Sequence, residues 1–391
     1  MQALTGITVI ESGSYITGPY SSMLLADLGA NVIKVERPKG GDPYRAFKGG
    51  NYSAHFRAIN RNKKSITLDI NKPEGQKVMR ELIAKADIFI ENTRAGYMDG
   101  LGLSFEELKK VNPRLVYVSI TGFGNTGPYR DRPSYDTIGL ALSGTLAMYV
   151  DPKDPRLTGI ALSDGVTGMY SCYAALAGLA MRERTGEAVR VENSMLAATM
   201  AFNEFFLMDY RLTGTVPHIE RKSQVNLSWA LPCSDGKLVA VHLSSPEKFW
   251  EGLVKAVDMP GLATDPRFST RAARIENYGA LRDELSARFR TQPRTYWLKR
   301  LAEVDLPFAP IYDSSEIGDD PQVQAMGLWH DLKHPKAEAT PALKRPVMIN
   351  GTRDEAHATP PPLLGEHTEE ILGSLGYTGE QIAALKTAQI I

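Results

Sequence analysis

Residues 24–37 read LLADLGANVIKVER, and this stretch decides the fold. Its first half completes a helix-like segment, Tyr20–Leu28, and its second half contains a strand-like run, Val32–Glu36. Another strand-like run, Ile7–Glu11, precedes the helix, and Gly18-Pro19 lies in the turn that joins them. The order strand, helix, strand predicts a βαβ unit, in which a helical crossover connects two parallel strands.

The same alternation of strand and helix patterns continues through the N-terminal half of the chain. The strand-like runs are apolar along most of their length, which is typical of a parallel sheet covered by helices on both faces. In such sheets ligands bind at the carboxyl ends of the strands. The further predicted segments are strands at Ser65–Leu68, Asp87–Glu91 and Leu115–Ile120 and helices at Pro73–Ala86 and Ser104–Val111.

The pattern changes in the C-terminal half of the chain. Two polar stretches rich in turn-forming residues, 213–224 and 313–325, are typical of linkers. Between them, Ser234-Asp235-Gly236 separates two strand-like runs and predicts a β-hairpin. Helical patterns follow at 246–257, 270–291 and 294–303, and then a strand-like run at Pro307–Ile311.

The composition is that of an ordinary globular protein, with 43% hydrophobic and 23% charged residues among 391. A chain of this length predicts two domains. Since 45 basic residues balance 45 acidic ones, no overall field favours nucleic acid or an anionic membrane as a partner. The sequence shows neither a secretory signal nor an apolar run long enough to span a bilayer, so we expect a cytoplasmic protein.

Metal centres and serine hydrolase sites are not indicated. Cys172 and Cys233 are the only cysteines, and they provide neither a disulfide framework nor metal-ligand spacing. The seven histidines show no ligand spacing, and no G-x-S-x-G nucleophile motif is present. We therefore expect no metal ion.

A glycine-rich motif, GFGNTG at residues 122–127, matches the spacing of the dinucleotide-binding fingerprint. That fingerprint requires a helix directly after it, so that the pyrophosphate meets helix N–H groups. Residues 128–133 read PYRDRP and are a poor helix start, so we interpret the motif as a loop near a ligand. Lys34 and the basic stretch Asn60–Ser65 suit phosphate contacts, although such charges are more often only solvated.

The segment SDGVTG, residues 163–168, places Asp164 where a buried helix should begin. The following residues are small and apolar, and charged residues before Gly186 predict the helix end. A carboxylate at a helix start faces unpaired N–H groups and the positive end of the helix dipole. Taken alone, Asp164 is most simply an N-cap; as part of a larger pattern it is a candidate functional carboxylate.

Together these motifs resemble the class III CoA-transferase (CaiB/BaiF) family, in the same order along nearly the whole chain. The matching segments are Gly18-Pro19, residues 24–37, 60–69, Glu91-Asn92, 121–124, 134–136, 141–144, 163–168 and 364–368. The resemblance implies an α/β fold with a Rossmann-like large domain, residues 1–212 completed by 326–391. It also implies a smaller inserted α+β domain, residues 225–312, and an interlocked homodimer.

The resemblance further implies an acyl-CoA:carboxylate CoA-transferase with Asp164 as its catalytic residue. In this chemistry the carboxylate attacks the thioester and passes through mixed-anhydride and aspartyl-CoA intermediates. Coenzyme A and acyl-CoA are then substrates, with a small carboxylic acid as acceptor and no permanently bound cofactor. The N–H groups at the helix start are expected to stabilise the developing oxyanions.

The CoA contacts that the resemblance implies are spread over six segments. One departure is Gly100, which stands where formyl-CoA transferases of the family carry a further arginine. Another is Ile16, which replaces a substrate-binding glutamine, so oxalate and formate are not favoured as substrates. The candidate acyl-pocket residues are Tyr15, Tyr135, Met169 and the loop 226–229. The implied CoA-binding residues are Ile16, Thr17, Arg37, Leu68, Asn71, Asn92, Thr93, Arg94, Leu101, Pro133, Ser134 and Tyr135.

Two alternative functions stay open at this point. An α-methylacyl-CoA racemase shares the fold but needs a histidine base, and Tyr135 occupies that position here. A tyrosine is a poor base near neutral pH. A CoA-binding protein without turnover is the other alternative, but such a protein has no need of Asp164 as a nucleophile.

Overall fold

The structure is a computed structural model that describes residues 2–216, 218–353 and 357–391. Pro217, inside the predicted linker 213–224, therefore lies outside the described residues, as do residues 354–356 in the C-terminal segment. Within these ranges the strands are β1 Thr8–Ser12, β2 Asn31–Glu36, β3 Lys63–Thr67, β4 Ile88–Glu91, β5 Val116–Thr121, β6 Val189–Ser194, β7 Ser228–Pro232, β8 Leu238–His242, β9 Phe308–Ile311, β10 Trp329–Leu332 and β11 Thr340–Leu343.

The helices range from one turn to more than six turns in length. In the described ranges they are α1 Thr17–Ala26, α2 Ala54–Ala58, α3 Pro73–Ala84, α4 Tyr97–Gly100, α5 Phe105–Val111, α6 Asp136–Leu142, α7 Leu162–Thr185, α8 Met195–Phe202, α9 Glu204–Thr213, α10 Arg221–Asn226, α11 Glu247–Val257, α12 Gly261–Thr264, α13 Arg271–Glu276, α14 Tyr278–Phe289, α15 Arg294–Ala302, α16 Pro321–Met326, α17 Thr368–Ser374 and α18 Gly379–Thr387.

A parallel sheet in the order β3-β2-β1-β4-β5-β6 forms the centre of the N-terminal part. Val9 of β1 lies opposite both Val32 of β2 and Ile88 of β4, so β1 occupies the middle of the sheet. The strand order reverses between β1 and β4, and a crevice opens there at the carboxyl ends of the strands. The predicted α/β class with a Rossmann-like parallel sheet is confirmed.

Helices cover both faces of this sheet because its strands are apolar on both faces. On one face α3 and α5 pack with α17 in a core that includes Phe89 and Tyr117 of the sheet. On the other face α1 and α7 enclose a core around Val9 and Val118. Gly178 lets α7 approach β5 closely, since a Cβ at this position would lie 2.6 Å from Cγ1 of Val116.

Tertiary contacts divide the chain into two compact units, one of residues 1–149, 156–214 and 328–391 and the other of 150–155 and 215–327. The second unit contains a three-stranded sheet, β7-β8-β9, whose pairs are antiparallel. Helices α11, α14 and α15 pack on it around the fully buried Trp297. The predicted hairpin is present, with Gly236 at φ 75° in its turn.

The C-terminal segment attaches to the first unit beside β3. The Gly365 N–H donates to Ser65 Oγ at 2.9 Å, and the His367 N–H donates to the Ser65 carbonyl oxygen at 2.9 Å. Thr368 Oγ1 accepts a hydrogen bond from the Thr67 N–H at 3.1 Å. The motif at 364–368 is therefore a docking segment that adds α17 to the core of the first unit.

Several elements differ from the sequence-based expectations. The prediction omits β6, which is half exposed along its length, and α9, none of whose residues is buried. The hairpin of β10 and β11 is also absent from it. The single helix expected at 270–291 is interrupted at Asn277, whose side-chain amide donates to the carbonyl oxygens of Arg267 and Ala273. Such side-chain to backbone bonds compete with helix continuation.

The predicted linkers also need correction. Residues 313–325 belong to the second compact unit and contain most of α16. Asp320 caps this helix, because its Oδ1 accepts hydrogen bonds from the N–H groups of Gln322 and Val323. Helix α10 likewise begins inside the stretch 213–224.

No helix in the described part of the chain is long and apolar enough to cross a membrane. Among the same residues, no group of three or more His, Cys, Asp or Glu side chains is arranged to hold a metal ion.

Candidate active site

Asp164 lies in the first turn of α7, but it does not cap the helix. The N-cap position is Ala161, which makes no side-chain cap. The Asp164 N–H instead donates to Oδ1 of Asp136, at 3.2 Å, across from the start of α6. The Asp164 carboxylate forms no hydrogen bond with any residue that the structure describes. The simple interpretation as an N-cap is therefore wrong.

A close contact between α6 and α7 brings the two carboxylates together. Gly139 of α6 faces Ser163 of α7, and a Cβ on Gly139 would lie 2.3 Å from Ser163 Oγ. Ser163 is held in turn by Thr199 of α8, with 2.7 Å between their hydroxyl oxygens. Because α6 can approach so closely, Asp136 sits at the start of α7.

The electrostatic environment of Asp164 favours its protonated form. Burial, followed by the neighbouring Asp136 carboxylate, raises the pKa of Asp164 to about 7. The N–H groups at the start of α7 were expected to bind oxyanions, but two of them already have acceptors. The Asp164 N–H donates to Asp136, and the Gly165 N–H donates to the Ala161 carbonyl oxygen. The carboxylate is thus a stronger base than an exposed aspartate.

The loop after β1 approaches Asp164 at the carboxyl edge of the sheet. Asn92, which follows β4, holds this loop: its Oδ1 accepts from the Ser14 N–H at 2.9 Å, and its Nδ2 donates to Thr17 Oγ1 at 2.8 Å. Tyr15 has a left-handed φ of 60°, and its N–H donates to Asp42 Oδ1 at 3.0 Å. The ring of Tyr15 meets that of Tyr135 edge-on, with 5.6 Å between the ring centroids.

A cavity of about 220 Å³ lies between this loop, the segment after β4 and the segment before α6. Gly122 allows the segment before α6 to lie close to the end of β5, since a Cβ on Gly122 would lie 2.4 Å from the Cβ of Ser134. The residues after Gly127 do not form a helix until Asp136, so the GFGNTG motif belongs to a loop beside the cavity. Nine predicted site residues line it: Ile16, Thr17, Asn92, Thr93, Arg94, Pro133, Ser134, Tyr135 and Asp164.

The other predicted site residues lie outside this cavity. Arg37 and Asn71 are exposed beyond β2 and β3, and Asn71 Oδ1 accepts a hydrogen bond from Tyr97 at 2.9 Å. The Leu68 side chain is buried in the core, so only its backbone can contact a ligand. Leu101 follows α4, and its side chain packs at the margin of the same core.

Other expectations about the site residues are corrected by the structure. Lys34 is fully buried; its Nζ contacts Glu11 Oε1 at 2.6 Å, Asp42 Oδ2 at 2.9 Å and the Gly13 carbonyl oxygen at 2.9 Å. Lys34 therefore stabilises the loop after β1 from inside the protein and has no direct access to a ligand. Met169 is exposed on α7 and Trp229 is buried in the core of the second unit, so neither lines the cavity.

Sequence reasoning missed three residues near Asp164. Arg130 and Arg132 line the cavity, and neither forms an ion pair with a described residue. The guanidinium of Arg132 lies 3.8 Å from the centroid of the Tyr129 ring. Tyr44 is close enough to Asp164 for the aspartate charge to contribute, after burial, to a raised Tyr44 pKa. The run PYRDRP, residues 128–133, was the available signal for the two arginines, but as a poor helix start it predicts only a loop.

Comparisons with known proteins extend over almost the whole chain. A family profile described as CoA-transferase family III matches residues 4–368. The succinyl-CoA:glutarate CoA-transferase of Homo sapiens is 32% identical, over 100% of this chain and 90% of the human protein. The succinate–glutarate CoA-transferase of Agrobacterium fabrum is 34% identical over 95% of each chain. The crystal structure of a CAIB/BAIF family protein from Brucella suis is 33% identical, with a TM-score of 0.84, over 96% of this chain and 99% of that one.

Proposed function

Because this chain belongs to CoA-transferase family III, we propose that it moves CoA between carboxylic acids with Asp164 as the nucleophile. The observation that carries this proposal is the Asp164 carboxylate itself. It lines the cavity at the carboxyl edge of the sheet, has no hydrogen-bond partner among the described residues and has its pKa raised to about 7. A carboxylate left unpaired in this way is disposed to react rather than to stabilise the fold.

In the first half of the proposed reaction, an Asp164 oxygen attacks the thioester carbonyl carbon of the donor acyl-CoA. The C–S bond breaks, CoA leaves as a thiolate, and a mixed anhydride joins Asp164 to the acyl group. The thiolate then attacks the Asp164 carbonyl carbon, and the donor acid leaves as a carboxylate. The product on the enzyme is an aspartyl-CoA thioester.

The second half repeats these steps with the acceptor acid. Its carboxylate attacks the aspartyl thioester, releases the thiolate and forms a second anhydride. The thiolate then attacks the acceptor acyl carbon, and Asp164 leaves as a carboxylate. No electron or proton is consumed overall, so the thioester energy is retained. The anhydrides must be kept from water, and the contacting rings of Tyr15 and Tyr135, which line the same cavity as Asp164, are proposed to help exclude it.

The CoA molecule is proposed to follow the carboxyl edge of the sheet. Ile16, Thr17 and Asn92 would contact the pantetheine arm beside Asp164, and Arg37 and the backbone of Leu68 would lie near the nucleotide. Gly100 carries no charge, and Arg94, which lines the cavity, is proposed to supply the missing cationic contact.

A small dicarboxylate is the proposed acyl donor or acceptor. The names of both curated relatives above include succinyl or succinate and glutarate. Arg130 and Arg132 line the cavity without a described carboxylate partner, and guanidinium groups bind carboxylates well. They are therefore the residues proposed to bind the distal carboxylate.

An interlocked homodimer is the proposed assembly. Met169, Tyr173 and Met181 follow one another at helical spacing along α7, and 48%, 68% and 55% of their surfaces are exposed. Phe205 and Leu212 of α9 add exposed fractions of 63% and 78%. Apolar surface of this extent is typical of a protein–protein interface, and a second copy of the chain would cover it.

The test is a pooled transfer assay. The purified protein is given a mixture of acyl-CoAs and a mixture of free mono- and dicarboxylates in deuterated water, and the products are read by mass spectrometry. We expect new acyl-CoAs with dicarboxylates as donor and acceptor, and a loss of at least about a thousandfold in Asp164→Ala. Asp131→Ala is the control, since Asp131 lies exposed in the adjacent loop.

Two results would contradict the proposal. Transfer that persists in Asp164→Ala would exclude the aspartyl intermediate. Deuterium at the α-carbon of a branched acyl-CoA, without any new acyl-CoA, would indicate a racemase instead and give Tyr135 a direct role in proton exchange.

A further inference from the structure

A second cavity, of about 430 Å³, lies at the opposite edge of the parallel sheet. Its lining includes Asn31, the first residue of β2, and Lys63 and Lys64, the first residues of β3. The Asp164 cavity lies at the other ends of the strands. With six residues in β2, each advancing roughly 3.3 Å, the two edges are about 20 Å apart. Residues of the C-terminal segment between 330 and 353 and between 357 and 367 supply the other wall.

Among the residues that the structure describes, the charges that line this second cavity do not balance. Both described carboxylates of the cavity have partners. Asp27 accepts two hydrogen bonds from Arg61. Glu366 Oε2 lies 3.1 Å from His334 Nε2 and accepts a hydrogen bond from the Leu363 N–H at 2.9 Å. Three further cations line the cavity and form no ion pair with any described residue. They are Lys344, Arg345 and Arg353.

Arg345 shows the imbalance most clearly, because it is only 6% exposed. Its Nη1 donates to the Asp27 carbonyl oxygen at 3.1 Å and its Nη2 to the Thr352 carbonyl oxygen at 3.4 Å. Its Nε is buried without an acceptor. The hydrogen-bond acceptors of this guanidinium are thus neutral oxygens only. The Asp27 carboxylate is close enough to interact with the Arg345 charge, but its oxygens accept hydrogen bonds from Arg61 and Asn62. Burying the Arg345 charge in this way costs free energy unless a further anion is present.

A neutral donor lines the same cavity. His367 Nδ1 accepts a hydrogen bond from the Ser65 N–H at 3.3 Å, so the neutral ring carries its proton on Nε2. Burial lowers the pKa of His367, which keeps the ring neutral near pH 7. Arg353 is oriented by its own bond from Nε to the Arg345 carbonyl oxygen, at 3.1 Å. The cavity thus combines fixed donors with an excess of positive charge.

We propose that this cavity binds a small phosphate-bearing molecule, at a site separate from that of CoA. Two guanidinium groups and an ammonium group suit the oxygens of a phosphate group, and a volume of about 430 Å³ has room for more than one. Lys344, Arg345 and Arg353 belong to the C-terminal segment, whereas Arg61 and Lys64 belong to the sheet edge. A bound anion would therefore tie the C-terminal segment to the sheet and stabilise the first unit.

The experiment is calorimetric titration of the whole protein with inorganic pyrophosphate at low salt, in the presence of saturating CoA. CoA occupies the phosphate contacts at the carboxyl edge, so the remaining signal reports the second cavity. We expect one site per chain and a higher unfolding temperature with pyrophosphate. The double variant Lys344→Ala/Arg353→Gln should bind at least about thirtyfold more weakly, because two of the three unpaired charges are gone.

Matched controls separate this effect from misfolding. The Lys344 side chain forms no hydrogen bond or ion pair with a described residue, and Arg353 loses only its bond to the Arg345 carbonyl oxygen. The double variant should therefore unfold near the wild-type temperature without pyrophosphate. Lys333→Ala removes an exposed charge near the hairpin of β10 and β11, outside the cavity, and should leave pyrophosphate affinity unchanged.

Three outcomes would overturn the proposal. Loss of all pyrophosphate binding when CoA is saturating would place the phosphate contacts in the CoA site. Equal affinity in the double variant and the wild type would exclude the cavity. Citrate binding as tightly as pyrophosphate would show a site for any polyanion and not for phosphate.

Discussion

At the scale of single residues, the environment of Asp164 is unusual for a surface carboxylate. It is partly buried beside a second carboxylate, and no described side chain donates to it. Its pKa rises from a usual value of 3.8 to about 7. The same features that make it a reactive base make its ionised form costly for the fold.

Asp164→Asn should therefore stabilise the protein above neutral pH. Between about pH 4 and pH 7, Asp164 stays protonated in the folded state but is ionised in the unfolded state. The free-energy cost of Asp164 to folding therefore grows over this range and is fully present above pH 7. We expect the variant to be more stable at pH 8 by on the order of 1–3 kcal/mol, with a smaller difference at pH 5.5. Urea unfolding at both pH values measures this, and an equal difference at both would contradict it.

Asp136→Asn should change the pH dependence of CoA transfer. If ionised Asp164 attacks the thioester, the rate falls as pH drops below about 7. The asparagine keeps an oxygen to accept the Asp164 N–H but removes the negative charge, so the pKa of Asp164 should fall. Burial is the larger cause and persists, so the acid limb of kcat/KM should move down by about half a unit to one unit.

Asp131→Asn is the control for this measurement. Asp131 lies in the exposed loop near the cavity, and its substitution should leave the acid limb in place. An acid limb that does not move in Asp136→Asn would show that another group limits the rate.

At the scale of elements, α7 has two faces with different tasks. Its inner face carries small residues such as Gly178 and Ala175, which bring the helix close to β5 and β6. Its outer face carries the exposed Met169, Tyr173 and Met181. Close packing sets the position of the helix, and with it the position of Asp164 at the carboxyl edge of the sheet.

Gly178→Ala should destabilise the protein, although alanine favours helices over glycine. The new Cβ would lie 2.6 Å from Val116 Cγ1 and 3.2 Å from Val191 Cγ2, in a core where Val116 is fully buried. Overpacking of this kind costs about 1–3 kcal/mol, which outweighs a helix-propensity gain of about 1 kcal/mol. Chemical denaturation should show a net loss of about 1 kcal/mol.

Gly373→Ala in α17 is the matched control in the same unit. No atom lies within 4 Å of the Cβ that would be added there, so stability should stay equal or rise slightly. Equal stability of Gly178→Ala and the wild type would show that the core around Val116 can expand.

At the scale of the whole molecule, the proposed assembly explains an apolar surface that the isolated chain leaves exposed. The outer face of α7 and the surface of α9 both expose large apolar side chains, and α9 has no buried residue. A helix with exposed phenylalanine and leucine needs a partner surface to gain from their burial.

Interlocking predicts that the dimer persists on dilution, because two closed loops of chain cannot separate without unfolding. Light scattering and mass photometry from micromolar to nanomolar concentrations should give one dimeric mass. Tyr173→Arg places a charge in the proposed interface and should reduce the yield of dimer. A wild-type monomer at nanomolar concentration would contradict interlocking, and a monomer at every concentration would exclude the dimer.

The sequence by itself determined the elements whose signals are local. Strands β1 to β5, the crossover helices and the start of α7 could be predicted because apolar periodicity, glycine turns and charged helix ends depend on chain neighbours. The family resemblance then indicated Asp164 and the segments around it. Strand β6 and helix α9 could not be predicted, because half-exposed strands and helices with exposed apolar faces lack a clear local pattern.

Only the tertiary structure decided which charges face a ligand and which hold the fold together. Lys34 has the sequence context of a phosphate contact, yet Glu11 and Asp42, from other segments, enclose it completely. Arg345 has no such context, yet folding buries it at a cavity whose described carboxylates, Asp27 and Glu366, bind other groups. Ion pairing and burial depend on distances between segments far apart in sequence, and those distances exist only once the sheet and its helices have packed.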